Sequence, residues 1–362
     1  MTTDHQGRAA TLMDVAREAG VSIATASRAL NGGTRKVRKD SYEKVVAAAR
    51  RLDYRANAYA QAVAKGVSPN IALLVSDISD PYFAGVSQGV LKAASERGVD
   101  VAIGVASDGA AELERIRGFI ASRPRGIIIS ESENVNDRTR RDLQQELKRY
   151  TDAGGRVVFI LDRDMPFPAV DVGNEAGGYA IGKLLIDAGY RRPLILKGND
   201  GYRSSGQRYR GVVRALSEGG VDIDPRAVAS GGFRRETGFA VVAQMLRDGL
   251  LSPGEGALYG GRGADCIVAL NDVMAIGAMT ALRAGGLEPG RQMGVTGFGD
   301  IPYAADVYPA LTTVHLPLQD MGRAAVDNIM LGDDEYRGLG HRLIFLQNRP
   351  DVILRDSLPK RS

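Results

Sequence analysis

Residues 11 to 31, TLMDVAREAGVSIATASRALN, decide how this chain is read. Leu12, Val15, Ala16 and Ala19 recur at i, i+3, i+4 and i+7, which places them on one face of a two-turn helix. Gly20 follows as its terminator, because a residue without Cβ enters the left-handed region freely and turns the chain. Ser22 stands where a second helix needs an N-cap, its hydroxyl able to accept the backbone N–H of Ala24 or Thr25. In that helix Ala26, Ala29 and Leu30 face inward, while Ala24, Ser27 and Arg28 face outward with Ile23 at the N-terminal rim. Two short helices joined by a tight turn containing glycine are the layout of a DNA-binding helix-turn-helix. An outward face of small residues with one arginine enters a major groove without hindrance. Two ordinary amphipathic helices at the start of another kind of domain share the same periodicity, so charge has to decide.

Residues 1 to 66 carry 12 Lys and Arg against 6 Asp and Glu, whereas the remainder carries 35 against 37. The whole positive excess therefore lies in the first sixth of the chain, as expected of a segment that neutralises phosphates. Arg35, Lys36, Arg38 and Lys39 cluster just after the second helix. A third helix is predicted from about 41 to 53, with Val45, Val46, Ala49 and Leu52 inward and Asp40 and Glu43 at capping-box spacing. Three short helices sharing one apolar face make a minimal headpiece, a size at which a single core is only marginally stable.

With these residues assembled, the stretch from Thr11 to Asn31, the EKV at 43 to 45 and the LDYRANAYAQAVAKG at 52 to 66 resemble the lactose-repressor (LacI/GalR) family of bacterial transcription regulators. The resemblance implies that Thr11, Ser22, Thr25, Ser27 and Asn31 position the headpiece on phosphates, and the basic cluster that includes Arg38 reads, by its charge and place, as a further backbone contact. It places Ile23, Ala24 and Arg28 where the family reads base edges. Chemically, Arg28 suits a guanine, and Ile23 and Ala24 offer apolar contact to thymine methyls. NAYAQAVAK at 57 to 65 matches the family's hinge, a segment that becomes helical on operator DNA and wedges an apolar side chain into the minor groove; Asn57, Gln61 and Val63 are its DNA-contacting candidates. Two turns are too short to hold a helix alone in water, so coupling its folding to DNA is physically sensible. Val63 stands where the family commonly has Leu, and Ala56 where it commonly has Pro, which implies a shorter wedge and less unstacking.

From Ile71 onward, short apolar runs alternate with helical stretches: IALLVS (71 to 76), VDVAIGV (99 to 105), RGIIIS (125 to 130), RVVFIL (156 to 161), PLILK (193 to 197), DCIVAL (265 to 270) and MGVTGF ending at 298. Continuous apolar strands alternating with helices mean parallel sheets covered on both faces. About 290 residues exceed one such core, so two α/β subdomains are expected. The pattern resembles periplasmic sugar-binding proteins, relatives of the family's regulatory core, in which the chain crosses three times between lobes. The expected organisation is a headpiece over 1–56, a hinge over 57–69 and an effector-binding, dimerising core over 70–362. Lobe one is expected at about 70–168 and 318–333, and lobe two at about 169–317 and 334–362. The fold class is thus α/β with an all-α headpiece.

The opening MTTDHQGRAA has no apolar run and nothing later is long enough to span a bilayer, so a cytoplasmic location without membrane contact is expected. The single cysteine, Cys266, lies in an apolar strand and reads as core. Three scattered histidines give no metal-ligand spacing, and neither a metal nor a cofactor is expected.

Open α/β sheets bind small molecules at the carboxyl ends of their strands. Tyr82 and Phe83 follow the first strand, Asp162 and Arg163 the fourth, and Asn271 and Asp272 follow DCIVAL, while Arg208 lies in RYRG and Phe233 in SGGFRRETG. Each matches a family position that contacts effector, by the resemblance. GFGD places Gly299 where many members have Asp and moves the carboxylate to Asp300, and VDVGN carries Gly173 in the family's frequent VxxDN. With Arg163 and Arg208 supplying cations, this tilts the expected effector toward an acidic or phosphorylated sugar derivative. The competing readings are a cytoplasmic small-molecule-binding protein and an α/β enzyme with an unrelated helical N-terminus. Against the enzyme, neither GGRGAD nor GVTGFG shows G-x-G-x-x-G between strand and helix, and no nucleophile elbow, Walker loop or His-centred triad appears. The reading is a homodimeric repressor on a pseudopalindromic operator, controlled by a small carbohydrate-like effector.

Overall fold

The computed structural model describes residues 10–31, 37–54, 70–130, 137–251, 256–346 and 349–361. The hinge candidates Asn57, Gln61 and Val63, and the basic residues Arg35 and Lys36, lie outside the described residues. The chain divides into two compact units, Met1–Pro69 and Asn70–Ser362.

In the first unit, α1 (Leu12–Glu18), α2 (Ile23–Asn31) and α3 (Lys39–Arg51) share a small core of Val15, Ala16, Ala19, Ala26, Val45, Ala48 and Ala49. Thr11 caps α1 in a reciprocal box with Asp14, and Gly20 takes φ +63° after it. Ser22 accepts the N–H of Thr25 at 3.2 Å and starts α2. The expected Asp40–Glu43 box does not form. Helix α3 begins two residues earlier than predicted, with Arg38 at the N-cap and no side-chain cap bond, so Asp40 already lies in the first turn.

The second unit opens with β1 (Ile71–Val75), α4 (Pro81–Ser95), β2 (Val101–Val105), α5 (Gly109–Ala121), β3 (Gly126–Ser130), α6 (Asp137–Asp152), β4 (Arg156–Ile160) and β5 (Ala169–Asp171). It continues through α7 (Asn174–Asp187), β6 (Pro193–Gly198), α8 (Arg203–Glu218), β7 (Val228–Gly231), α9 (Arg235–Arg247), β8 (Cys266–Ala269), α10 (Asp272–Ala284) and β9 (Gly294–Thr296). It closes with α11 (Tyr303–Asp306), β10 (Thr313–His315), α12 (Leu318–Ile329), α13 (Asp333–Leu339), β11 (Leu343–Phe345) and β12 (Asp351–Ile353). Lobe one is built on a parallel sheet of order β11-β5-β4-β3-β1-β2, and lobe two on β7-β6-β8-β9. Strands β1, β3, β4 and β8 are buried throughout, which is why they read as unbroken apolar runs. A short antiparallel ribbon joins β10 to β12, and bridges from Thr312 to Thr296 and His315 to Gly299 tie it to lobe two.

The expected lobe boundaries shift at both returns. Strand β5 pairs with β4 through Phe159↔Ala169, and β11 pairs with β5 through Leu343↔Ala169, so both belong to lobe one rather than to lobe two. Three-residue strands carry too little period to be seen in sequence, and the crossovers consequently fall after Asp171 and after Phe345. Neighbouring helices pack closely where glycine allows it. At Gly178 on α7 a Cβ would lie 2.0 Å from the carbonyl oxygen of Arg208 on α8, so the two backbones touch directly beside the cleft.

Candidate functional site

On the headpiece unit, α2 presents Ile23, Ala24 and Arg28 to solvent, with Ile23 51% exposed although it is a large apolar side chain. Arg28 folds back along its own helix, its Nε donating to the carbonyl of Ala24 at 3.0 Å. Ser22 and Thr25 share a hydroxyl contact at 2.9 Å, and Ser27 is half-buried. Arg38 is exposed beside the start of α3. Asn31 is the last residue of α2.

The core unit holds a cleft of about 870 Å³, open mouth included, between its lobes. Lobe one contributes Ser76, Asp77 and Asp80 after β1, the aromatics Tyr82 and Phe83 at the start of α4, and Ser107 after β2. Pro81 at the first turn of α4 and Asp80 as its N-cap, accepting from Tyr82 N at 2.8 Å, fix where those aromatics stand. Burial pushes the Asp80 carboxyl up from its ordinary range, whereas the Ser79 hydroxyl and N–H hold Asp77 down.

Lobe two contributes Arg208, Phe233, Asn271, Asp272 and Phe298. Arg208 is 4% exposed. Its Nε donates to Asn174 Oδ1 and one terminal nitrogen to the Leu270 carbonyl, both at 2.7 Å, and its guanidinium lies 4.0 Å from the centre of the Phe298 ring. Phe233 packs against Tyr202 with ring centres 4.9 Å apart. Asn271 caps α10 through Met274 N at 2.9 Å and turns its amide to the Phe233 carbonyl at 3.3 Å. Asp272 is buried beneath the loop that follows β9, accepting from Ile301 N at 2.9 Å and from Thr313 Oγ1 at 2.5 Å. Its burial raises the pKa to about 6 against those two donors.

Five of the eight sequence candidates, Tyr82, Phe83, Arg208, Phe233 and Asn271, thus meet in one cleft. Three do not line it. Arg163 forms an ion pair with the fully buried Glu112 of α5 and lies over the Phe159 ring. Asp162 accepts from Asp164 N and pairs with Arg203, and Asp300 pairs with Arg355 and His315. In each case another charge of the same chain captures the group. With Arg163 turned away, the tilt toward an acidic effector loses one of its two cations. Asp80, Ser107, Tyr202 and Phe298 escaped the sequence reading because only tertiary folding brings their loops to the cleft; the Asp80–Pro81 pair at a helix start was the one local signal available.

A headpiece of three helices followed by a two-lobed parallel α/β core with an interlobe cleft defines the class of a DNA-binding regulator with a small-molecule domain. Residues 11–57 match the model of bacterial regulatory proteins of the lacI family, and residues 68–338 match that of periplasmic binding proteins and the sugar binding domain of the LacI family. The HTH-type transcriptional regulator GalS of Salmonella typhimurium is 32% identical over 327 residues, 89% of each chain. The HTH-type transcriptional repressor PurR of Haemophilus influenzae is 28% identical over 351 residues, 96% of this chain and 98% of its own. Among solved structures, a lac repressor dimer bound to operator and the anti-inducer ONPF superposes with a TM-score of 0.79 at 23% identity, covering 97% of this chain and all of that one. A complex of the regulator CelR with cellobiose reaches 0.66 at 25% identity, covering 96% and 99%. The chain belongs to the LacI family and is a DNA-binding transcription regulator with a periplasmic-binding-protein-like effector domain, not an enzyme. No helix among the described residues is long and apolar enough to cross a membrane.

Proposed function

We propose that this chain is a cytoplasmic, homodimeric repressor whose hold on a pseudopalindromic operator changes when a sugar or sugar derivative enters the interlobe cleft. The observation that carries the reading is the cleft itself, lined by aromatics from both lobes, Tyr82 and Phe83 from one and Phe233 and Phe298 from the other, with the buried Arg208 against the latter pair. Such walls stack on the apolar face of a pyranose or furanose ring while Arg208, Asn271 and Asp80 meet its hydroxyls. Ile23, Ala24 and Arg28 read bases, and Ser22, Thr25, Ser27, Thr11, Asn31 and Arg38 set the headpiece on phosphates. Dimerisation is supported by an exposed apolar edge: Ile103 and Val105 on edge strand β2, with Ile78 and Leu91 nearby, are all more than a third exposed. A two-fold dimer requires two facing half-sites. The CelR–cellobiose complex and the operator-bound lac repressor dimer, each of similar fold, bind partners of these kinds.

The test has two stages. A gel shift on DNA flanking the protein's own gene should reveal a palindromic site, and a metabolite panel screened by thermal shift should reveal a ligand, which at a hundred times its Kd adds about 2.7 kcal/mol. Titrating that ligand into operator-bound and operator-free protein should then give different affinities, by linkage. Equal affinities would remove the cleft from control of DNA binding.

A further inference from the structure

The loop after β4 in lobe one presents two carboxylates toward lobe two. Asp162 is buried, and its Oδ2 lies 3.1 Å from a terminal nitrogen of Arg203. Asp164 is exposed, with its Oδ2 at 3.8 Å from the other terminal nitrogen. Arg203 is the first residue of α8 in lobe two, between Tyr202 and Ser204, which both line the cleft. One guanidinium therefore reaches across the rim of the cleft to two carboxylates of the opposite lobe.

The loop carrying them is built to stay put. Leu161 and Asp164 both sit in the left-handed region, at φ +71° and +54°, a conformation that non-glycine residues keep only when their surroundings impose it. Asp164 N donates to Asp162 Oδ1 at 2.9 Å, and Arg140 of α6 holds the Asp164 carbonyl at 2.6 Å and its carboxylate at 3.0 Å. His341, just before β11, stands 3.7 Å from Asp162. Arg140 and His341 both belong to lobe one, so they fix the loop to its own lobe, and Arg203 makes the contact that spans the gap.

We propose that Arg203 is an interlobe latch: by pairing with Asp162 and Asp164 across the rim of the cleft, it holds the core at the interlobe angle seen here. The inference rests on the regulator reading for its consequence, since the interlobe angle is what effector and operator would both bias, but not for its test. Arg203 is half-exposed, which makes the latch weak enough to release and sensitive to salt. An effector that prefers another angle must break it, and one that fits this angle is assisted by it.

The experiment uses the full chain with one spin label on each lobe, at Lys148→Cys on α6 and Arg291→Cys between α10 and β9, both strongly exposed; buried Cys266 stays unlabelled. Dilution with unlabelled chain restricts double electron–electron resonance to distances within one chain. The effector-free parent should give one dominant interlobe distance. Arg203→Gln should add a second population, lowering the ratio of latched to released chains about fivefold, or about 1 kcal/mol. Asp164→Asn should shift it the same way by less, and Arg203→Lys should retain most of the parent distribution. Because Asp164 is exposed, its variant keeps the fold and stands as the test if Arg203→Gln lowers the melting temperature. Parent-like distributions in Asp164→Asn and in folded Arg203→Gln would overturn the latch. Operator binding by the parent, measured separately, reports on the regulator reading and leaves the distance result untouched.

Discussion

Replacing Asp272 by Asn should change how the protein's stability depends on pH, by an amount the structure sets. The carboxyl is 1% exposed and its pKa is raised by burial from 3.8 to about 6. A raised carboxyl pKa means that the folded state binds the proton more tightly than the unfolded chain does. The sign follows: the favourable contribution is fully present below about pH 4 and is lost as pH rises through about 6. The full span corresponds to about 3 kcal/mol, of which roughly half falls between pH 8 and pH 5. Asparagine cannot titrate, keeps an acceptor for Ile301 N, and can donate to Thr313 Oγ1. The stability gap between parent and Asp272→Asn should therefore move by about 1 kcal/mol or more toward the parent when the pH falls from 8 to 5, read from urea midpoints of the core transition at each pH. Asp272→Ala cannot titrate either, so its gap to the parent should move with pH in the same way, but it should lie about 2 to 4 kcal/mol below Asp272→Asn, because it strands the Ile301 N–H and the fully buried Thr313 hydroxyl. A gap between parent and Asp272→Asn that does not change with pH would refute the assignment of a desolvated carboxylate at this position.

Arg28→Ala should weaken operator binding by about 1 to 3 kcal/mol per half-site and relax preference at one base pair, whereas Arg38→Ala should weaken all sequences alike and flatten the salt dependence; competition gel shifts with single-base variants separate the two. Gly178→Ala should destabilise the core by about 2 kcal/mol or more, because its methyl would meet the backbone of α8, and a melting temperature equal to the parent's would contradict that contact. Arg208→Ala should abolish the thermal shift produced by the effector and also lower the stability of the empty protein by about 1 to 3 kcal/mol, since the Leu270 carbonyl and Asn174 Oδ1 lose their donor.

How much of this was legible depended on the scale of the signal. Helices α1 and α2 declare themselves locally, through Thr11, Gly20 and Ser22 at their ends and a 3.6-residue apolar period between, so no tertiary knowledge is needed. The long buried strands are similarly visible, as in GIIIS and RVVFI. Strands β5 and β11 are not, because three residues carry no period and only their pairing with β4 makes them strands. In the cleft, Tyr82, Phe83 and Asn271 stand at helix starts after strands, where chain direction alone aims them at the sheet's carboxyl edge. Asp162, Arg163 and Asp300 occupy equivalent sequence positions, yet each is drawn aside by a partner far away in sequence: Arg203, Glu112 and Arg355. Such captures are electrostatic and non-local. Resemblance to a family predicts the strand end and not which counter-charge waits there.

The geometry around Arg208 shows how a ligand in the cleft could be felt at the crossovers. The first crossover runs from Asp171 to Asn174 as a tight turn, in which Asp171 Oδ1 accepts the N–H of Gly173 at 2.7 Å and Gly173 takes φ +68°. Asn174, the next residue, accepts from Arg208 Nε through its Oδ1, and Arg208 faces the cleft. The second crossover passes through Leu316, between β10 and α12, and it too lines the cleft. A ligand that draws on the Arg208 guanidinium therefore competes for, or reinforces, the bond that sets the first crossover, while its bulk bears on the second. Both contacts lie where the lobes join, so on the proposed reading their free energy would bear on the interlobe angle without a chain of intermediates through either sheet. A coupling of 1 to 3 kcal/mol, the usual range for allosteric proteins, is about what one charge-assisted hydrogen bond made or lost at such a pivot supplies. On the proposed reading, that economy makes Arg208 the residue at which effector chemistry and lobe geometry would meet.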